Sequence, residues 1–287
     1  MLAVLVGLAS AFTYGTADFL GGLAAKRTRP IVVTAIAATV GGIVLVPFAL
    51  LVPARWSAEA VLWGGLSGVT GSVAILFLYA ALAIGPMSIL SPLTAVLSAI
   101  VPMTWGLLGG ERVGPLGYVA LGGVLVAIVL VGFVPEKGAV RPSLRGLVYA
   151  VISGTLIGAF FILIDRAPDD SGMVPVLANR VVATVLLALV VTGLVIAARA
   201  RGRAASPGWR SALPLAIACG VADALANVLI LVALRVGDLI VGSVLAALYP
   251  AGTIALAAIF LRERIAPVQW VGIGLALVSA ALLAVAA

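Results

Sequence analysis

Long apolar runs alternate with short breaks of charged, Gly or Pro residues along the whole chain. A helix needs roughly 20 apolar residues to cross a bilayer, whereas a barrel strand needs about half that number and alternates its polarity. The breaks define ten predicted spans, at residues 2–24, 31–52, 60–83, 87–109, 115–134, 144–164, 174–198, 211–234, 239–261 and 267–286. The pattern therefore predicts an all-α integral membrane protein with ten transmembrane helices.

A short sequence recurs in the two halves of the chain. Leu-Leu-Gly-Gly-Glu-Arg ends at Arg112, and Ile-Phe-Leu-Arg-Glu-Arg ends at Arg264. An offset of 152 residues matches Gly85 with Gly237, Ser91 with Ser243, Glu111 with Glu263, Pro115 with Pro267 and Gly122 with Gly274. Because a repeat with five spans must insert its second copy inverted, we predict two inverted five-helix repeats, 1–135 and 144–287.

A weaker match joins the beginnings of the two halves at a different offset. Gly7, Leu8, Gly15 and Thr16 correspond to Gly146, Leu147, Gly154 and Thr155, which lie 139 residues further on. The larger offset later in the chain indicates extra residues in the second half. We place them around the basic segment 199–210.

Composition supports the membrane class and excludes several others. Of the 287 residues, 64% are hydrophobic and 9% are charged, and the mean hydropathy is +1.31, whereas soluble domains are about 25% charged. The chain has no His and one Cys, so we predict no catalytic residue, no metal site and no cofactor. The net charge of +7 is assigned to membrane-facing loops rather than to nucleic-acid binding.

The basic residues are divided unevenly between the two sides of the predicted membrane. Loops after odd-numbered spans carry twelve Lys or Arg residues, and loops after even-numbered spans carry four: Arg55, Arg112, Arg166 and Arg235. Basic loops remain in the cytoplasm. We therefore expect the odd-numbered loops to be cytoplasmic and both termini to lie outside, in a multi-pass protein of the plasma membrane.

With these motifs the chain resembles the drug/metabolite transporter superfamily, in its ten-span EamA-type branch. The resemblance covers essentially the whole chain and rests on the repeated Glu-Arg boxes and on two related segments before spans four and nine, Tyr79–Gly85 and Leu231–Gly237. It implies alternating access around a central cavity for a small polar metabolite. The family often has an Arg early in the second span of each half; here Arg180 has only Ala35 near the equivalent place.

Asp223 is the first candidate for the transport site. It lies near the middle of span 211–234, and Asn227 follows on the same helical face. A charge at the bilayer centre costs about 2.5–3.5 kcal/mol on insertion scales, so it indicates a pocket or a partner. Asp223 could bind a substrate amine or a coupling proton; the alternative is a protonated carboxyl hydrogen-bonded to a neighbouring helix.

Asp18 and Arg180 are the other charges expected inside spans. Asp18 follows Ser10 and Tyr14 on one helical stripe, which should face a cavity or a partner helix, although an interfacial acid is the alternative. Arg180 could hold a carboxylate or phosphate by its planar fork. The alternatives are that Arg180 extends back to the interface, or that it pairs with Asp169 and Asp170.

Polar and Pro residues in spans four and nine form a weaker group of candidates. They are Ser91, Thr94 and Ser98 in the first half and Ser243, Tyr249 and Thr253 in the second. Pro92, Pro102 and Pro250 should interrupt the helical hydrogen-bond ladders there, and the freed carbonyl groups could meet substrate or ions. Packing is the alternative role. The Glu111-Arg112 and Glu263-Arg264 pairs are interpreted as structural caps or anchors.

Three classes of function remain after this inspection. The leading hypothesis is a secondary transporter of a small polar metabolite, driven by a proton gradient or working by facilitated exchange, with export and an amino-acid-like substrate favoured. No phosphate-binding Gly-rich motif is present, so we expect no ATP. An intramembrane enzyme lacks a nucleophile–base pair, whereas a non-transporting assembly subunit remains the alternative. One chain contains both repeats, so a monomer is sufficient, and the oligomeric state stays open.

Overall fold

A computed structural model gives the fold of the chain. It describes all residues except 26, 85–86, 133–142, 201–208, 261–265 and 287, and it leaves out the side chains of 79, 82–84, 87–89, 91–92, 257–258, 284 and 286. The described part is all-helical. The predicted boundary between the repeats, and the residues Glu263 and Arg264, lie outside the described residues.

Eleven α-helices and one short 3-10 helix make up the described part of the chain. The α-helices are α1 (Leu2–Ala25), α2 (Pro30–Leu51), α3 (Ala58–Ile84), α4 (Met87–Leu108), α5 (Pro115–Gly132), α6 (Leu144–Asp165), α7 (Val174–Ala200), α8 (Trp209–Arg235), α9 (Leu239–Ala246), α10 (Tyr249–Phe260) and α11 (Pro267–Ala286). Seven stretches are long and apolar enough to cross a membrane, and shorter apolar helices lie at Leu93–Leu108, Pro115–Val131 and Pro267–Leu283. These ten spans agree with the sequence prediction.

The ninth span differs from the prediction because it consists of two helices. The helix α9 ends at Ala246 and α10 begins at Tyr249. Pro250 has no N–H to donate to the carbonyl of Ala246, so the ladder is interrupted where the sequence suggested. Pro92 and Pro102 likewise have no N–H to donate, but they do not divide α4, which runs from Met87 to Leu108 as one helix.

The helices pack in pairs that are related by an approximate two-fold axis. The helix α1 packs on α8 as α3 packs on α6, and α2 packs on α8 as α3 packs on α7. The helix α4 packs on α6 as α9 and α10 pack on α1. Three pairs cross the axis itself: α2 with α7, α4 with α9, and α5 with α11. The protein therefore has two inverted five-helix repeats.

Equivalent contacts fix the register between the two repeats. The hydroxyl of Ser10 donates to the carbonyl of Ala226 as that of Ser153 donates to Ala74. Ser10 and Ser153 are 143 residues apart, whereas Ala74 and Ala226 are 152 apart. The offset of 152 is thus also the structural one for α3 and α8. The offset of 139 for the first helices is wrong by one helical turn, a slip that leaves the same side of the helix facing the core.

A second pair of contacts gives the register of α2 against α7. A Cβ atom on Gly68 would lie 2.5 Å from the carbonyl oxygen of Asn179, and one on Gly220 would lie 2.6 Å from that of Ala37. Both glycines are therefore required by the close approach of a neighbouring backbone. Asn179 corresponds to Ala37, at an offset of 142. Hence Arg180 corresponds to Ala38, not to Ala35, and the offset grows between α7 and α8.

Two faces of the bundle are defined by the loops. The even face carries the loops after spans two, four, six and eight, at residues 52–57, 109–114, 166–173 and 236–238. Contacts join all four: Arg55 with Asp170, Arg235 with Asp169, and Glu111 with the N–H of Ile240. The odd face carries the other loops, where the guanidinium of Arg27 donates to the carbonyl of Ser211.

Candidate functional site

A cavity of about 160 Å³ lies between the two repeats, among α1, α2, α3, α6, α7, α8 and α10. One wall is polar and the opposite wall is apolar. The polar wall consists of Tyr14, Asp18, Asn179, Arg180, Asp223, Asn227 and Tyr249. The apolar wall includes Ile75, Leu78, Ile157, Phe160 and Phe161. Six of the eight residues proposed from the sequence therefore surround one space.

Arg180 and Asp223 form an ion pair inside the bundle. The Nη1 atom of Arg180 lies 2.5 Å from Oδ2 of Asp223, and their side chains are 10% and 25% exposed. The Asn227 amide donates to the carbonyl of Asp223 at 2.7 Å and to its Oδ1 at 3.3 Å. Asp223 is thus held by a cation and by an amide on its own helix.

The loop acids considered as alternative partners for Arg180 are engaged elsewhere. Asp169 pairs with Arg235, and Asp170 pairs with Arg55. Arg180 is only 8% exposed, so it does not extend to the interface. The pairing with Asp223 was not predicted, although two opposite charges in adjacent spans of one repeat were the available signal.

Asp18 also lines the cavity, but it has no ion pair or hydrogen bond with any residue that the structure describes. Close by are three buried polar atoms that likewise lack a hydrogen-bond partner among those residues: Tyr14 Oη, Tyr249 Oη and Arg180 Nε. Most buried polar atoms in proteins are hydrogen-bonded, and leaving one unpaired costs about 1–3 kcal/mol. This wall therefore has capacity for a polar ligand, with one acidic group and several donors.

The repeat register shows that the polar groups occupy one member of each symmetry-related pair. Asp223 corresponds to Gly71, Asn227 to Ile75, Arg180 to Ala38, Asp18 to Phe161 and Tyr14 to Ile157. All ten residues line the cavity. The two repeats thus build one central cavity with unlike walls, which suits a solute that is polar at one end and apolar at the other.

Two of the proposed residues lie apart from the cavity or cannot be placed in it. Ser243 is fully buried in α9, and its hydroxyl donates to the carbonyl of Leu239 in the same helix at 2.6 Å. It does not line the cavity. The side chain of Ser91 is outside the described residues. Thr94 and Ser98 also donate to carbonyls, at Leu90 and Ala95.

Other cavity residues were missed by the sequence inspection. Asn179 donates to the hydroxyl of Ser67 at 2.9 Å and lies beside Arg180. Thr34, Ser72 and Cys219 also line the space. The Asn-Arg pair early in span seven was a usable signal for Asn179. Within the described ranges, no three His, Cys, Asp or Glu side chains are grouped so that they could hold a metal ion.

Comparison with known proteins gives a family and a fold. The profile of the EamA-like transporter family matches the chain twice, over residues 1–133 and 144–285. A solved structure described as "Crystal structure of protein" is similar over 99% of both chains, with a TM-score of 0.71 and 19% sequence identity. At this identity the likeness shows the shared fold alone. No curated protein matches the chain.

Proposed function

The chain belongs to the EamA-like transporter family, and we propose that it is a secondary transporter that moves a small polar metabolite by alternating access. One observation carries this proposal: a cavity between two inverted repeats is lined by charged and hydrogen-bonding groups that have no partner among the described residues. Sites of secondary transporters lie at such repeat interfaces near the bilayer midplane. An intramembrane ionisable group is by default functional.

The cavity favours a substrate that carries an amine and an apolar body. Arg180 neutralises Asp223, so Asp18 leaves the cavity with one uncompensated carboxylate. An ammonium group could pair with Asp18, while a substrate carboxylate could accept from the free Nε–H of Arg180 and from Tyr14. Phe160 and Phe161 would contact an apolar side chain. A zwitterion such as an amino acid satisfies all three regions.

We propose a proton as the coupling ion and export as the direction. A carboxyl that binds either a proton or a substrate amine couples the two flows, because the two compete for one site. Asp18 suits this role better than Asp223, since Asp223 is already paired with Arg180. Export from the cytoplasm across the plasma membrane is the direction that resemblance to the family suggests.

The charge distribution supports an orientation with the odd face in the cytoplasm. The loops after even-numbered predicted spans carry four Arg residues and six acidic residues, whereas the loops after odd-numbered spans carry twelve basic residues. Such an imbalance is typical of cytoplasmic loops. Both termini would then lie outside the cell.

Flux measurements in proteoliposomes test the proposal. Proteoliposomes that contain the purified protein are loaded with an unlabelled amino acid, amine, nucleoside or sugar. They should exchange the internal solute for external labelled solute, and amino acids or related amines should exchange fastest. Asp18→Asn should lose net transport driven by a pH gradient and should slow the exchange of amine-bearing substrates, because the proton and the ammonium group share that carboxyl.

Two results would contradict the proposal. Folded protein that exchanges no solute of any class would favour the alternative, a non-transporting membrane subunit. Gradient-driven transport by Asp18→Asn at the rate and with the pH dependence of the parent would remove Asp18 from the coupling step. The tolerant control is Ser243→Ala, because Ser243 lies outside the cavity.

A further inference from the structure

The central cavity is not centred on the two-fold axis but extends toward the odd face. Three of its lining residues lie on that side: Thr34, Leu78 and Leu187. Their symmetry mates in the other repeat are Val176, Ile230 and Leu45. All three mates are about 1% exposed and belong to one apolar cluster on the even side. The space that is open on one side is therefore filled on the other.

Helix packing shows the same difference between the two sides. The helix α6 packs against α8 near the even face, where Phe160 and Ile164 share a cluster with Ile230 and Leu231. The mates of these helices, α1 and α3, approach each other in fewer places within the part of the chain that the structure describes. The separation of α1 from α3 is thus the counterpart of the closure of α6 on α8.

Arg235, at the end of α8, stabilises the packing of α6 on α8. Its Nη1 atom donates to the carbonyl of Ala167 at 3.0 Å and pairs with Asp169, and its Nη2 atom donates to the hydroxyl of Ser171 at 3.2 Å. All three partners lie in the loop between α6 and α7. The Arg235 side chain is only 18% exposed. One guanidinium therefore holds the end of α8 to the end of α6.

The sequence places no cationic side chain at the equivalent position of the other repeat. An offset of 152 places Ala83 at the position of Arg235, and Ala has no side-chain donor. Among the described residues this clamp is seen on the even face, and it should favour closure of that face. If the two faces open in turn, removing the clamp should shift the population toward the state that is open on the even face.

We infer that Arg235 is the latch of an even-face gate, and that opening this gate exposes Leu45, Val176 and Ile230 as a second vestibule to the central cavity. This inference rests on the proposed function for its purpose, since alternating access requires such a gate. It does not require that the substrate be known. In the opened state α1 and α3 would approach each other and cover Leu78.

Another ion pair on the same face provides a matched control. Arg55 lies 3.3 Å from Asp170, and both side chains are largely exposed. This pair joins the α2–α3 loop to the α6–α7 loop, beside the packing of α3 on α6. The corresponding packing of α1 on α8 exists on the odd face, where Arg27 bonds to Ser211. Because both faces have this contact, it does not distinguish the face that is open from the face that is closed.

Thiol labelling measures separately how accessible the interior of the bundle is from each of the two faces. In a Cys219→Ala parent, single cysteines are introduced as Ile230→Cys or as Leu78→Cys, and a membrane-impermeant maleimide is added to one side of oriented proteoliposomes. Arg235→Gln should raise the labelling rate of Ile230→Cys from the even face at least fivefold and lower that of Leu78→Cys from the odd face. Arg55→Gln should change neither rate.

Two outcomes would overturn the latch. Unchanged rates at both cysteines in Arg235→Gln would show that the guanidinium does not hold the gate. Faster labelling at both cysteines would indicate general loosening rather than an exchange of faces. Failure of the transport proposal is distinguishable, because a protein that exchanges faces but carries no solute in the flux assay would keep the gate and lose the transport role.

Discussion

Arg180 and Asp223 stabilise each other in a place where either alone would be costly. Their atoms are 2.5 Å apart, and the Arg side chain is almost fully buried. Removing one partner of a buried pair leaves an uncompensated charge and typically costs about 3–5 kcal/mol. Asp223 is therefore a structural residue as well as a cavity residue, and its loss should affect folding.

A double-mutant cycle tests this dependence. Arg180→Met and Asp223→Asn should each lower the free energy of unfolding of the detergent-solubilised protein by about 3 kcal/mol. Thermal unfolding measures these losses. The double variant should be more stable than either single variant, because no charge is left unpaired. Additive losses in the double variant would show that the two side chains do not depend on each other.

The sequence indicated the charged positions but not how they are paired. Asp18, Arg180 and Asp223 were identifiable because charges inside apolar spans are rare and costly. Their distances depend on helix tilt and on which faces meet, which local periodicity does not determine. Hence Asp223 was the first candidate for binding an amine or a proton, whereas in the structure it is paired with Arg180, and Asp18 is the cavity acid that has no partner among the described residues.

At the scale of elements, Glu111 links the end of α4 in the first repeat to the start of α9 in the second. Its Oε2 atom accepts from the N–H of Ile240 at 3.1 Å, at the first turn of α9. The turn that brings it there uses Gly110, whose φ of 97° suits glycine. Burial raises the pKa of the Glu111 carboxyl, and the N–H of Ile240 opposes this rise. The repeated Glu-Arg box is thus a helix cap in its first copy.

Substitution of Glu111 separates its hydrogen bond from its charge. Glu111→Ala should lower the free energy of unfolding by about 1 kcal/mol, because the first turn of α9 loses its acceptor. Glu111→Gln keeps an acceptor for the N–H of Ile240 and should lose less. Thermal unfolding of both variants at one pH measures the difference. Equal losses of stability in the two variants would mean that the hydrogen bond accepted from Ile240 contributes nothing to stability.

Comparison of the parent protein with Glu111→Gln also predicts how stability depends on pH, with a definite sign. A carboxyl with a raised pKa binds more protons in the folded than in the unfolded state, so its contribution to stability is lost as pH rises through the folded pKa. The parent should therefore lose stability relative to Glu111→Gln between the usual carboxyl pKa and the raised one. A difference that stays constant across this interval would contradict the assignment.

Helices were more predictable than their interruptions. Hydropathy gave all ten spans, because every lipid-facing backbone group must be bonded within its own helix. Pro250 divides span nine into α9 and α10, but Pro92 and Pro102 leave α4 assigned as one helix. Proline removes one hydrogen bond in each case, and whether the chain then turns depends on how neighbouring helices pack.

At the scale of the whole molecule, the inverted repeat gives both the cavity and its closure. In the five pairs of symmetry-related cavity residues described above, one member is polar and its mate is apolar or glycine, so the polar member determines the chemistry. The repeat was visible in the sequence, but its register in the first helices was misjudged by one turn. A slip of four residues keeps the same helical face, so glycine matches alone could not exclude it.

A cavity-filling variant tests most directly whether the central cavity is the transport route. Gly71 lines the cavity, where an added Cβ would meet only Phe160 at 3.5 Å. Gly122 lies on the outside of α5 with no atom near its Cβ position. In the proteoliposome exchange assay, Gly71→Leu should abolish exchange of the substrate carried by the parent, whereas Gly122→Leu should retain it. Exchange by folded Gly71→Leu at the parent rate would contradict the account.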